Sequence, residues 1–314
     1  MAQQIESQIT NAAFMIRPVR FRSNPETADS NRFQDPPDIP AARQQERAAA
    51  EFEGLLAALR GAGIEVFVFD DTPEPHTPDA LFPNNWVSFH ADGRVVIYPM
   101  EAENRRAERR SDIVDALYEQ GRFDVREVID LTPHEQNGHF LEGTGSLVLD
   151  RVNHVAYACL STRTHLEPLG DFAQRLDYEI VAFDAVDRGG VPIYHTNVMM
   201  SVGEELAFVC AESIRNAKQR EAVLGQLKET GHEVVELGYQ QLEAFAGNML
   251  ELKRKDGGRV LAMSTQARAA LDAQQLERAV SNGDVVTAPI DTIEASGGGS
   301  VRCMLAEIHL PRRG

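Results

Sequence analysis

The chain has 314 residues, enough for a large core, with 43% hydrophobic and 25% charged residues, an ordinary globular balance. A formal net charge of −17 makes nucleic acid and anionic membrane poor partners, since both would repel it. The three cysteines, Cys159, Cys210 and Cys303, form no CxxC pair and no zinc-ligand spacing, which fits a reducing, cytoplasmic setting without a metal.

In chain order, residues 1–12 are polar and expected to fray, with no signal-peptide pattern and no apolar run of membrane-spanning length. Ala13–Ile16 reads as a short buried strand stopped by Arg17-Pro18. Residues 19–40 show little periodicity; a loop of that length is a functional lid or disordered. A helix over 41–60 ends at Gly61 and Gly63, and Ile64–Phe69 alternates as a strand. A hairpin follows, Phe82–Phe89 with Val95–Pro99 around Asp92-Gly93, then a helix over 103–120 and a strand over Val125–Leu131.

That cycle recurs. Hairpin Leu141–Leu149 with Val155–Leu160 leads to helix 166–176 and strand Glu179–Phe183. Hairpin Tyr194–Ser201 with Leu206–Cys210 leads to helix 214–230 and strand Glu233–Leu237. Hairpin Ala246–Leu252 with Arg259–Met263 leads to helix 266–281 and strand Asp284–Ala288. The last element is a glycine-rich loop, Gly297-Gly298-Gly299-Ser300, running into a strand-like segment with Cys303 at the junction. The starts of the hairpin strands fall at Asn85, Gly145, Asn197, Asn248 and Ser300, at intervals of 60, 52, 51 and 52 residues. Five units at a nearly fixed period predict radial repetition: one domain over 1–314, a five-bladed α/β propeller of ββαβ repeats. A doubly wound sheet fits less well, because that fold wants mostly parallel strands.

If the strand starts converge on an axis, Cys303, His195, Asn197, Glu142 and Asn85 meet there. A thiol, an imidazole and a carboxylate are the parts of a nucleophilic cysteine site, although a free cysteine by itself is as often plain core.

The motifs Phe82-Pro83-Asn84-Asn85-Trp86, Leu141-Glu142-Gly143-Thr144-Gly145, His195-Thr196-Asn197 and Gly297–Met304 resemble those of the guanidine-modifying enzymes, or penteins. These include arginine deiminase, dimethylarginine dimethylaminohydrolase and the amidinotransferases; the nearest type is the citrulline-utilisation hydrolase. The resemblance runs from Phe14 to about Pro311 and implies the five-bladed propeller fold. It also implies Cys303 as nucleophile, His195 as general acid and base, Glu142 as the carboxylate beside it, and no cofactor.

The arginine-directed members carry aspartates where this chain has Asn85 and Asn197. Asparagine offers a donor and an acceptor, which suits a neutral ureido group better than a cation with donors alone. The sequence therefore predicts hydrolysis of citrulline to ornithine, ammonia and carbon dioxide. The alternatives are deimination or dihydrolysis of arginine or a derivative, and amidino transfer. Arg163 resembles the arginine that binds the substrate carboxylate in dimethylarginine dimethylaminohydrolase, and Asn24, in the 19–40 loop with Arg22, is a candidate for the amino-acid end. Trp86, Phe82, Cys159 and Cys210 read as core; His139 and Asp79 stand near the site without an assigned role. A non-catalytic propeller would have lost the Cys, His and Glu set. A homodimer is common among the relatives.

Overall fold

The computed structural model describes residues 6–120 and 123–313; residues 1–5 of the stretch expected to fray lie outside it. The elements run β1 (Ala12–Arg17), α1 (Ala41–Gly61), β2 (Glu65–Asp70), β3 (Val87–Phe89), β4 (Arg94–Ile97), α2 (Glu103–Arg106), α3 (Ser111–Glu119) and β5 (Glu127–Asp130). Next come α4 (Gly143–Ser146), β6 (Leu147–Asp150), β7 (Val155–Cys159), α5 (Leu166–Leu176) and β8 (Glu179–Phe183). Then follow α6 (Thr196–Met199), β9 (Met200–Val202), β10 (Leu206–Val209), α7 (Ala217–Glu229), β11 (Glu233–Glu236) and α8 (Tyr239–Glu243). The chain finishes with β12 (Leu250–Lys253), β13 (Arg259–Ser264), α9 (Thr265–Ala270), α10 (Ala273–Asn282), β14 (Asp284–Ala288), α11 (Asp291–Gly297) and β15 (Ala306–Glu307).

The strands make five three-stranded sheets of one topology among the described residues. In each, a first strand pairs antiparallel with a second, and the second pairs parallel with a third after a helical crossover, as in β6-β7-β8. The fifth sheet is assembled from both ends of the chain: β15 pairs antiparallel with β1, which pairs parallel with β2. First strands of successive sheets touch, β6 against β9, β9 against β12 and β15 against β3.

Local sequence explains the helices. α5 buries Leu169, Phe172, Ala173 and Leu176, spaced i, i+3, i+4 and i+7, and ends where Asp177 turns left-handed at φ 60°. The side chain of Asn216 caps α7 by accepting from the N–H groups of Lys218 and Gln219. The two long helices expected over 103–120 and 266–281 are each broken in two. Leu271 is extended, and Asp272 with Gln275 forms a capping box that starts α10 afresh. Between α2 and α3 the chain turns so that the Arg105–Glu108 ion pair faces inward, both side chains almost fully buried.

The expected fraying does not extend to residues 6–11. Gln8 is buried and its amide donates to the carbonyls of Leu149 and Val202, on β6 and β9. Glu6 pairs with buried Arg151 at 3.0 Å. The 19–40 stretch has no regular element but is tied down: Asn31 donates to Gly297 O, and the Asp35 N–H donates to Ala295 O.

Candidate active site

The chemistry-bearing residues stand just before the first strands, on turns, rather than on the strands themselves. Glu142 and His195 stand at the residue just before α4 and α6, Asn85 ends a 3₁₀ turn before β3, and Asn248 and Cys303 sit in the connections before β12 and β15. Each turn frees side chains from the ladder and aims them at the same place.

Cys303 is 3% exposed. Two side-chain amides donate to its sulfur: Asn248 Nδ2 at 3.2 Å and Asn197 Nδ2 at 3.4 Å. The Asn197 Oδ1 has no hydrogen-bond partner among the described residues. Cys303 opens on a tight pocket that is also lined by Asp79, Phe82, Asn85, Arg105, Arg163 and His195.

His195 Nε2 lies 2.9 Å from Glu142 Oε2, both groups buried, and the ring lies against Tyr194 at 4.6 Å between centroids. Burial disfavours an ionised Glu142, but Arg163, the imidazole and Arg105 outweigh it and hold its carboxyl far below the usual range. Burial, helped by the two arginines, pushes His195 down to about 4 despite Glu142. At neutral pH the ring is therefore neutral. Its Nε2–H donates to Glu142, which leaves Nδ1 unprotonated as a proton acceptor.

The two arginines are matched elsewhere. Arg105 makes a bidentate pair with Glu108, 2.9 Å at each fork, and its Nη1 donates to Asn85 Oδ1 at 3.0 Å. Arg163 and Arg105 each lie 3.5 Å from Glu142 Oε2. Arg163 also donates to Ser30 Oγ and Thr27 O of the 19–40 loop and stacks 4.8 Å over the Tyr194 ring. Asp79 is left with spare capacity. Its Oδ2 accepts from Asn24 Nδ2 at 2.7 Å and is 3.7 Å from Arg105 Nε, while Oδ1 has no partner among the described residues. The Asn85 Nδ2 is likewise without a partner there.

Of the residues expected at the site, Cys303, His195, Glu142, Asn85, Asn197 and Arg163 come together. Asn24 stands one layer back, behind Asp79, and touches Asn104 rather than the pocket. Trp86, Cys159 and Cys210 are buried core, Phe82 both packs and lines the pocket, Arg22 contacts His76 on the surface, and His139 lies toward Glu167. The sequence reading passed over Arg105 and Glu108 and gave Asp79 no role. Asn248 carried the right signal, its place in the repeat register, but was used only to count repeats. Among the described residues no group of three or more His, Cys, Asp or Glu is placed to hold a metal ion. No helix there is long and apolar enough to cross a membrane.

The structure is similar to the N-terminal domain of ArgZ bound to substrate, an arginine dihydrolase of the ornithine–ammonia cycle in cyanobacteria, with a TM-score of 0.72 and 17% identity over 95% of this chain and 97% of that one. Against apo ArgZ the TM-score is 0.73 at 17% identity over 96% of this chain, which spans only 41% of the larger protein. A dimethylarginine dimethylaminohydrolase variant, as an adduct with S-methyl-L-thiocitrulline, matches at TM-score 0.61 and 15% identity, over 96% of this chain and 100% of that one. No protein of curated function matches by sequence. The sequence model of the family described as N,N dimethylarginine dimethylhydrolase, eukaryotic, covers residues 17–310, so the chain belongs to that family of guanidine-modifying pentein hydrolases, which act on carbon–nitrogen bonds.

Proposed function

We propose that this protein hydrolyses the guanidino group of arginine or an arginine derivative through a covalent intermediate on Cys303, rather than acting primarily on citrulline. The observation that carries the reading is Asp79. The negative charge missing at Asn85 and Asn197 is available from a buried carboxylate with a free oxygen in the same pocket. Arg105 lies 3.7 Å from the other oxygen, Asp79 Oδ2, but its fork is taken by Glu108, and Arg163 pairs with Glu142, so Asp79 Oδ1 stays open. A guanidinium, with donors only, is offered two unpartnered acceptors near Cys303: Asp79 Oδ1 and Asn197 Oδ1. The neighbours described as arginine dihydrolases support the same substrate class.

In this reading the Cys303 thiolate attacks the central guanidino carbon and a C–S bond forms. His195 Nδ1 takes a proton from one nitrogen of the tetrahedral adduct and hands it to another, which departs as ammonia or a methylated amine. His195 next deprotonates water. Attack on the amidino carbon breaks the C–S bond, giving citrulline and the free thiol. Glu142 holds the imidazole in the tautomer that leaves Nδ1 open. The five sheets, whose first strands touch at β6–β9, β9–β12 and β15–β3, are read as blades around one axis, and the whole chain as one catalytic unit.

The unpartnered Asn85 Nδ2 favours a second step. A buried donor with nothing to donate to suits the ureido oxygen of citrulline. Its further hydrolysis would yield ornithine, carbon dioxide and a second ammonia.

The test is amine release from arginine, dimethylarginine and citrulline, each against Cys303→Ala. Release from a guanidino substrate that requires Cys303 is expected; two ammonia per arginine adds the second step, and one excludes it. Turnover of citrulline alone would overturn the proposal.

A further inference from the structure

Tyr194 is buried beside His195, and no step of the proposed reaction uses it. Its side chain nevertheless meets four parts of the site. The ring lies 4.6 Å from the His195 imidazole between centroids, and Arg163 stacks over it at 4.8 Å. Phe33 of the 19–40 loop packs edge-on at 6.1 Å. The hydroxyl donates to the carbonyl of Gly298, in the glycine-rich loop 104 residues further on. Burial pushes this phenol far above its ordinary range, so it keeps its proton and stays a donor.

Gly298 ends α11 in the left-handed region, at φ 65°, which glycine adopts without strain. A Cβ there would collide with the Asn31 side chain, whose amide donates to the Gly297 carbonyl at 3.1 Å. The loop is thus held by Asn31 at one carbonyl and by the Tyr194 hydroxyl at the next. Gly299 in turn packs on the nucleophile, since a Cβ on it would lie 3.3 Å from Cys303 Cβ. A path of contacts therefore runs from His195 through Tyr194, Gly298 and Gly299 to Cys303. The other direct hydrogen bond across this seam, among the described residues, is the long one from Asn197 Nδ2 to the Cys303 sulfur at 3.4 Å. We infer that Tyr194 is a positioning residue: its hydroxyl, by gripping Gly298, sets the distance between the base on one turn and the nucleophile on the other. A tyrosine side chain is stiff, with only two torsions, so it acts as a spacer of fixed length. His195 and Cys303 stand on turns of different sheets, and misplacement by about 1 Å costs about a hundredfold in rate. The inference rests on Cys303 and His195 acting together, but not on which substrate they act on.

The experiment is Tyr194→Phe, which removes one buried oxygen and keeps the ring, with its contacts to His195, Arg163 and Phe33, so the variant folds. Two readouts are compared with wild type. Amide hydrogen exchange of the peptide covering 297–304, followed by mass spectrometry without substrate, should speed up by at least about fivefold, while peptides from α5 and β7 keep their rates. For the substrate that wild type turns over, kcat should fall by about ten- to a hundredfold with KM changed by less than about threefold. Faster exchange with unchanged kcat overturns the inference, because the hydroxyl then holds nothing the reaction needs. A lower kcat with unchanged exchange overturns it as well, because the hydroxyl then acts otherwise than by holding the loop. A hydroxyl that merely stabilises the fold would speed exchange in every peptide and leave kcat alone, and that result also overturns it. If wild type turns over none of the substrates offered, it is the proposed function that fails. Exchange then still decides the tie, with faster exchange at 297–304 supporting it and unchanged exchange overturning it.

Discussion

At residue 145 the chain has no room for a side chain: a Cβ there would run into the amide nitrogen of Asn85 and lie 2.8 Å from His195 Nδ1. Gly145→Ala should therefore tilt the imidazole off Glu142. We expect kcat to fall by at least about a hundredfold, as misplacement of a catalytic group by about 1 Å does, with a melting temperature lowered by only a few degrees. Unchanged kcat would mean that the ring position is not critical. Asp79→Asn is nearly isosteric and removes the proposed counter-charge. It should raise KM for a guanidino substrate by about ten- to a hundredfold while affecting citrulline far less, and an equal effect on both would remove the charge argument.

Among the elements, α5 is the plainest case of a helix held by one face. Phe172 is fully buried in the cluster that holds Leu169, Leu176, Leu149 and Ala156, with its ring 5.4 Å from that of Tyr178 and 6.2 Å from that of Tyr98. Phe172→Ala should cost about 3–5 kcal/mol in urea unfolding, with turnover kept in the fraction that folds. The Asp272 capping box should respond on a smaller scale, with Asp272→Ala costing about 1 kcal/mol. Periodicity alone read α5 and its strand β8 to the residue but merged α9 with α10 and α2 with α3. A helical pattern reports which face is apolar. It does not report that Glu108 must turn inward to meet Arg105, nor which of Arg105, Arg106, Arg109 and Arg110 goes inside.

Over the whole molecule, buried ionisable groups set the response to acid. Burial holds His195 neutral down to about 4 and lowers His90 and His309 as well, whereas an unfolded chain protonates them near the ordinary 6.5. A lowered histidine contributes stability that is complete above 6.5 and is lost as pH falls toward the folded value, because the unfolded state binds the proton first. His195 alone accounts for roughly 3 kcal/mol by the worth of each pKa unit. Glu142 and Glu307, depressed mainly by arginines against the cost of burial, lose theirs at still lower pH, below the ordinary carboxylate value. Burial raises Glu108 to about 8 and Glu294 to about 7, and a raised carboxyl works the other way, gaining stability as pH falls from its folded value to 4.5. Between pH 8 and 4.5 the two effects oppose each other, so urea midpoints should fall steeply only below 4.5, and a midpoint that stays level from pH 4.5 to 3 would contradict the depressed carboxylates.

Short-range information was enough to read the repeat, most of the strands and longer helices, and the candidate site residues, because alternation, periodicity and reactive side chains leave marks within a few positions of themselves, whereas the helical turns at Gly143–Ser146 and Thr196–Met199 were read as strand. Cys303, His195, Glu142, Asn85, Asn197 and Arg163 could be named from motifs at a fixed register. Only the tertiary structure decided what those side chains meet. Asn85 and Asn197 looked like a neutral pocket until Asp79 was found beside them, and Asn248 looked like a repeat marker until its amide was found on the sulfur. The closure of the last sheet is of the same kind, since β15 and β1 come from opposite ends of the chain. Such pairings depend on distances between residues tens to hundreds of positions apart, and those distances exist only once the core has packed.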